Sequence, residues 1–274
     1  MLKLLVTTLL LSSVVFANSN EKIERFLAEK FKENPAIASL KVQVVDRMKI
    51  RTVAGWDAVV VVVDATIQAK PKNKQVHQKM IWFTNGEVIT KELTNINTGE
   101  SLKDSVNPVF KDEYYTKHNL IYGKPNAKYK VAIFSDPLCP FCGTFVPEAI
   151  EEMKKQPEKF AIYYYHFPLP TLHPAAVPIA KAAIAADLGG IKNVALRIYN
   201  MKIDPHEKNM RKILETFNRK LGTDIKASDL SSTEVQETYK NDLRIAEELM
   251  VNGTPTMFFN GKLDRTKRLY QRAP

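Results

Sequence analysis

Cysteine is almost missing from this chain: its 274 residues hold two, both within Cys139-Pro140-Phe141-Cys142. Scarcity on that scale excludes the disulfide framework by which small secreted domains replace a core. Histidine is sparse too, with five residues, and none follows Cys142 at zinc-finger spacing, so the pair lacks the other half of a zinc site and no metal is expected. After the first residues no apolar run approaches the roughly 20 that a membrane-spanning helix needs. Internal repeats and low-complexity tracts are also absent. The basic stretches Lys70-Pro71-Lys72-Asn73-Lys74 and Thr266-Lys267-Arg268 carry no interleaved aromatics. The net charge of +10 therefore reads as a solvated surface, with nucleic acid not among the partners.

What is present suits one large domain or two ordinary ones, since 45% of the residues are hydrophobic and a core is within reach. The opening MLKLLVTTLLLSSVVFA has a basic residue at Lys3, an apolar stretch from Leu4 to Val15 and small residues up to Ala17. That is the pattern of a cleaved export signal over residues 1–17. Its apolar run is too short for an anchor. Loss of Lys3 would lower the net charge by one.

Residues 20–34 place Ile23, Phe26, Leu27 and Phe31 on one helical face before Asn34-Pro35 ends the run. Leu40 to Val53, Trp56 to Lys70, Gln75 to Thr84 and Glu87 to Asn95 read as strands, the last two joined at Asn85-Gly86, a strong hairpin signal. Five consecutive valines, Val59 to Val63, fit a buried strand. This first half, residues 18–105, reads as a helix with an antiparallel sheet and shows no catalytic cluster. Asn107-Pro108 resembles a helix start, which predicts a linker helix over 106–123. Gly123-Lys124-Pro125-Asn126 then opens the final domain, 124–274.

In that domain a strand from Tyr129 to Phe134 leads to the cysteines, and a helix runs on toward Lys155. Phe160 to Phe167 is the next strand. A helical stretch follows from about Ala175 to Met250, broken at Gly189-Gly190, with Ser231 and Glu234 as a capping box for its last helix. Thr256 to Phe259 and Lys262 to Leu263 form a closing hairpin around Asn260-Gly261.

A disulfide between Cys139 and Cys142 would enclose two residues and constrain the unfolded chain very little. A redox role fits better. At the start of a helix the first sulfur meets unpaired backbone N–H groups and the positive end of the helix dipole, which favours thiolate over thiol. Cys139 is thus the expected nucleophile and Cys142, one turn further on, the thiol that resolves a mixed disulfide. Pro140 fixes the turn. Phe141 brings no positive charge, whereas a histidine there would make the pair a stronger oxidant; a tenfold change in its redox equilibrium is only about 30 mV. Asp136 reads as a helix cap. His166 and His173 have a proton-transfer reading, but a structural hydrogen bond is the commoner role for such residues. Tyr163, Tyr164 and Tyr165 alternate faces of a strand, which core and surface packing would explain.

Phe134-Ser135-Asp136-Pro137-Leu138-Cys139-Pro140-Phe141-Cys142, with Val251-Asn252-Gly253-Thr254-Pro255-Thr256 downstream, resembles the thioredoxin superfamily, and within it the exported disulfide-exchange proteins DsbC and DsbG. His166-Phe167-Pro168-Leu169 and His173-Pro174-Ala175-Ala176 look more like the monomeric oxidase DsbA. The resemblance implies an α+β architecture: a cystatin-like helix-plus-sheet dimerisation domain, a linker helix and a thioredoxin-like catalytic domain with a helical insertion. It also implies that Thr254 and a cis Pro255 face the cysteines and hold substrate backbone beside Pro140 and Phe141. Where thioredoxin has a buried aspartate, six residues before the first cysteine, this chain has Ile133. The implied protein is a homodimeric periplasmic thiol-disulfide oxidoreductase, an isomerase or an oxidase, with no cofactor beyond its redox-active pair. Its partners would be unfolded or misoxidised secreted proteins and a membrane redox protein. Two other activities are open: reduction of sulfenylated cysteines, as in DsbG, and holdase-type binding in which the cysteines are incidental.

Overall fold

The computed structural model describes residues 19–273 except Pro71 and Pro157; the export signal expected over 1–17 lies outside the described residues. The chain divides into two compact units between Asn107 and Pro108.

In the first unit, helix α1 (residues 19–32) lies on an antiparallel sheet of order β1-β2-β3-β4: Ile37–Lys49, Asp57–Ile67, Lys74–Thr84 and Ile89–Thr90. Ile23 and Leu27 on α1 pack with Val59, Val61 and Val63 of β2 and with Trp82 of β3. The intervening Val60 and Val62 are buried as well, so the valine run is a central strand with neither face in water. Phe26, expected on the packed face, is 43% exposed. The hairpin forms at Asn85-Gly86, where Asn85 Oδ1 accepts from the N–H groups of Glu87 and Val88. Gly86 supplies φ of 92° there, which side chains with a Cβ seldom adopt. The strand expected from Glu87 to Asn95 shortens to the two residues of β4.

The second unit contains a sheet of order β5-β7-β6-β8-β9, made of Leu120–Tyr122, Phe160–His166, Tyr129–Ser135, Thr256–Phe259 and Lys262–Leu263. β6 and β7 are parallel, whereas β8 runs antiparallel to β6. Parallel neighbours need a crossover, and helix α2 (Pro140–Lys154) supplies it. Between β7 and β8 come α3 (Ala176–Leu188), α4 (Val194–Arg197), α5 (Met210–Leu221) and α6 (Thr233–Glu248). One core joins α2 to the sheet through Val146, Ile150, Ile133 and Ile162. The other face is covered by Ile245, Ala246 and Leu249 against Phe134, Tyr165 and Phe258.

The linker helix expected over 106–123 does not form. Asn107-Pro108 starts no helix, and the segment holds one short 3-10 turn, Asp112–Tyr114, followed by β5. Phe110 and Tyr114 stand at helical spacing, but both are buried in an aromatic cluster where Phe110 touches Tyr165 and Phe258. The Phe110 N–H also donates to the Gly261 carbonyl, at 2.8 Å. Long-range packing thus overrides the local Asn107-Pro108 start signal, and residues 108–123 belong to the second unit. The cap of α6 moves by one residue: Ser232, not Ser231, accepts from the Val235 N–H. Tyr163, Tyr164 and Tyr165 are all buried, because β7 is an interior strand covered on both faces; none of the three is a surface residue.

Candidate active site

β6 ends in a polar corner. Ser135 and Asp136 are both fully buried, and the Asp136 carboxylate is occupied on every side. Its Oδ1 accepts from Leu138 N–H at 2.7 Å, and its Oδ2 accepts from Leu169 N–H at 2.7 Å and lies 3.0 Å from His173 Nδ1. Asp136 therefore does not cap α2 as expected. It closes the turn ahead of the cysteines and ties that turn to the loop after β7. His173 fills the structural role, bonded to a buried carboxylate.

Cys139 is the N-cap residue of α2, with no side-chain cap, and Pro140 takes the first helical position, where its missing N–H costs nothing. The Gly143 N–H donates to the Cys139 carbonyl at 2.9 Å. Both cysteines are free thiols. Cys142, one turn on, is completely buried. Burial pushes its thiol up to about 11, while the Ser135 and Thr254 hydroxyls and the Asp136 backbone act the other way.

The loop before β8 closes the site from the other side. Its Thr254-Pro255 peptide bond is cis. The Thr254 carbonyl oxygen lies 3.7 Å from Cys139 Sγ. Its hydroxyl is buried without an ordinary hydrogen-bond partner. Pro140, Phe141, Thr254 and Pro255 all line one open groove of about 690 Å³, together with Thr144, Phe145, Gly253 and Lys267. Phe141 is 78% exposed, unusual for a large apolar side chain and suited to contact with another chain. The structure thus brings the six sequence-derived site residues together around two sulfurs and a groove.

A family model described as Thioredoxin matches residues 115–271, more than half of the chain. The chain belongs to the thioredoxin family. Among curated relatives, the Na(+)/H(+) antiporter NhaA 1 of Mycolicibacterium gilvum is 30% identical over 153 residues, 53% of this chain and 24% of that protein. This thioredoxin-family chain thus spans about a quarter of the length of the antiporters it matches. The "Probable disulfide bond formation protein D" of Bacillus anthracis is 28% identical over 182 residues, 59% of this chain and 76% of that one. Among solved structures, the thiol-disulfide exchange protein alpha-DsbA2 of Wolbachia pipientis is 18% identical with a TM-score of 0.47, covering 59% of this chain and 88% of that one. DsbA2 of Pseudomonas aeruginosa is 20% identical with a TM-score of 0.41, covering 56% and 90%.

Several contacts around the site escape sequence reasoning. Ser135 stands inside the quoted motif without a role, and Tyr199 is distant in the chain, yet their hydroxyls meet at 2.6 Å. Tyr164 adds a third hydroxyl, 2.9 Å from that of Tyr199. His166 has a buried, unpartnered Nδ1, and burial pushes its imidazole down to about 4. Asp242 of α6 accepts from His166 N–H at 2.9 Å and from Asn119 Nδ2 at 2.8 Å. Burial raises it to about 7 against those bonds. Among the described residues no cluster of three or more acidic, histidine or cysteine side chains is placed to hold a metal, and no helix is long and apolar enough to cross a membrane.

Proposed function

We propose that this protein is an exported, periplasmic thiol-disulfide oxidoreductase acting on the cysteines of secreted proteins. The observation that carries the reading is the placement of Cys139 Sγ at a helix N-terminus, 3.7 Å from the carbonyl of Thr254, a residue that lines the apolar groove. An extended substrate lying on Thr254 and Pro255 would bring its own sulfur to Cys139. As a thiolate, Cys139 attacks one sulfur of a substrate disulfide, the other sulfur leaves as thiolate, and a mixed disulfide forms. Cys142 then attacks Cys139, releasing the substrate reduced and leaving the pair oxidised; the reverse sequence donates a disulfide. The same residues would reduce a sulfenylated cysteine, with hydroxide leaving in the first step.

Within this reading the first unit is a cystatin-like dimerisation module and the protein a DsbC- or DsbG-type homodimer served by a membrane redox partner. A dimer favours isomerisation, since it can enclose a misfolded client and keep the pair from a membrane oxidase. A second reading, holdase-type binding, draws on the exposed Phe141 in the apolar groove. Cys139→Ala separates the two. The exchange reading predicts that insulin reduction and RNase refolding are lost in this variant; wild-type rates would refute it. Aggregation suppression that survives the substitution adds binding as an independent activity. Light scattering on the mature chain tests the dimer, and a clean monomer removes the structural case for an isomerase.

A further inference from the structure

Cys142 has to lose a proton inside the core before it can resolve a mixed disulfide, and no carboxylate stands ready to take it. Ile133, the β6 residue on the cysteine side, is a buried hydrocarbon. Asp136 is committed to Leu138, Leu169 and His173. Cys139, the other ionisable neighbour, raises the Cys142 thiol further when charged. Burial holds that thiol well above its ordinary value, so little of Cys142 is thiolate at neutral pH. A path for the proton is therefore as important as the nucleophile.

The Thr254 hydroxyl and the Asp136 backbone also bear on Cys142, but the Thr254 hydroxyl leads to no further partner, whereas from Ser135 a line of hydroxyls runs on. Ser135 is placed to bond the Cys142 sulfur; Ser135 Oγ is 2.6 Å from Tyr199 Oη, and Tyr199 Oη is 2.9 Å from Tyr164 Oη. Tyr164 is one of the residues that line a separate cavity of about 190 Å³, with His166 and Asp242, and the cavity has room for several waters. Its ring meets that of His166 edge-on at 5.0 Å, and His166 Nδ1 there has no partner. We propose that Ser135, Tyr199 and Tyr164 form a proton wire that carries the Cys142 proton out of the core to the cavity lined by His166 and Asp242. This rests on the reading of Cys139 and Cys142 as an exchange pair.

The step balances without a further reagent. Cys142 passes its proton to Ser135 Oγ, Ser135 passes its own to Tyr199, Tyr199 to Tyr164, and Tyr164 to water in the cavity. Every hydroxyl ends with one proton, and the thiolate is held by the Ser135 O–H. The sulfur then attacks Cys139, the intramolecular disulfide forms, and the substrate leaves as thiolate. Burial holds both phenols well above their ordinary range, so they relay a proton rather than keep a charge. Besides His166 and Asp242, the ionisable groups facing the cavity are His118, Asp187 and Lys192. Ser135, Tyr199 and Tyr164 act through Cys142 and are positioning residues.

The test uses the aromatic disulfide DTNB on the reduced full chain. Cys139 attack releases one thionitrobenzoate and leaves a mixed disulfide; Cys142 attack releases a second. In Tyr199→Phe and Ser135→Ala the first release should keep its rate. The second should slow by about 100-fold, the low end for positioned proton transfer, with its pH profile displaced upward. Tyr163→Phe, on the opposite face of β7, should leave both phases unchanged. In wild type the second phase should show a curved dependence on deuterium fraction, the mark of several moving protons. A second phase with wild-type rate and pH profile in both variants overturns the wire. A wild-type chain whose first phase occurs and whose second does not overturns the exchange-pair reading itself, and the wire with it.

Discussion

The two units cover their sheets by similar means and put different things inside. In the first, α1 lies on an antiparallel sheet whose centre is the valine run of β2. In the second, the parallel β6 and β7 are covered on both faces, and the interior admits ionisable groups. Among the described residues the buried carboxylates and imidazole, Asp136, His166, Asp242 and Asp264, all belong to the second unit, as do both cysteines. Burying such groups costs free energy unless they are paired, so a unit that keeps several of them is shaped by more than stability. Among the described residues the first unit buries no ionisable side chain to that extent.

The difference can be broken apart experimentally because both tryptophans, Trp56 and Trp82, lie in the first unit, while Cys142 protection reports the second. The largest effect is expected for Gly123→Ala. Gly123 has φ of 82° and a Cβ there would stand 1.9 Å from the Phe160 carbonyl oxygen, a backbone collision that cannot relax cheaply. Loss of more than about 3 kcal/mol is expected, seen as early exposure of Cys142 to alkylation in urea with an unshifted tryptophan transition. Leu27→Ala is the converse. It should move the tryptophan transition by about 3 kcal/mol and leave Cys142 protection as in wild type. If either substitution moves both probes together, the units are one cooperative body.

A smaller effect sharpens the contrast in buried charge. His166 is lowered from 6.5 to about 4, so its contribution to stability is present above 6.5 and lost as pH falls through the folded value. Asp242 is raised from 3.8 to about 7, so its contribution is present below 3.8 and lost as pH rises through about 7. The two oppose each other across nearly the same window. Asp242→Asn leaves the histidine uncompensated. Relative to wild type, the second unit should lose about 1 kcal/mol for each pH unit of acidification within that window, as measured by Cys142 protection in urea. Parallel pH profiles for variant and wild type would count against the linkage. Smallest is the cap of α6: Ser232→Ala should cost about 1 kcal/mol, and Ser231→Ala less than about 0.5 kcal/mol. Equal losses would return the cap to a shared role.

Sequence legibility followed the range of the interactions. The strand, the cysteine pair and the start of α2 are written in consecutive residues, whereas Thr254-Pro255 stood out only through the resemblance that the cysteine motif carries, since alone it reads as a turn. The hydroxyl line was invisible, since Ser135 and Tyr199 are 64 residues apart and Tyr164 and Tyr199 are 35 apart; no periodicity links them. At Asp136 the local rule anticipated backbone hydrogen bonding but not its targets, one of which lies beyond β7. The linker helix failed for a related reason: the Asn107-Pro108 start signal is local, and the aromatic cluster that claims Phe110 and Tyr114 is assembled from distant residues.

The proposed chemistry requires Cys139 and Cys142 to exchange as one two-electron pair. Equilibrating the reduced chain with glutathione across a range of ratios, then trapping with acid and determining the mass, tests it directly. A single transition from dithiol to the intramolecular Cys139-Cys142 disulfide is expected. A stable glutathione adduct at either cysteine, or thiols that persist throughout, would contradict it.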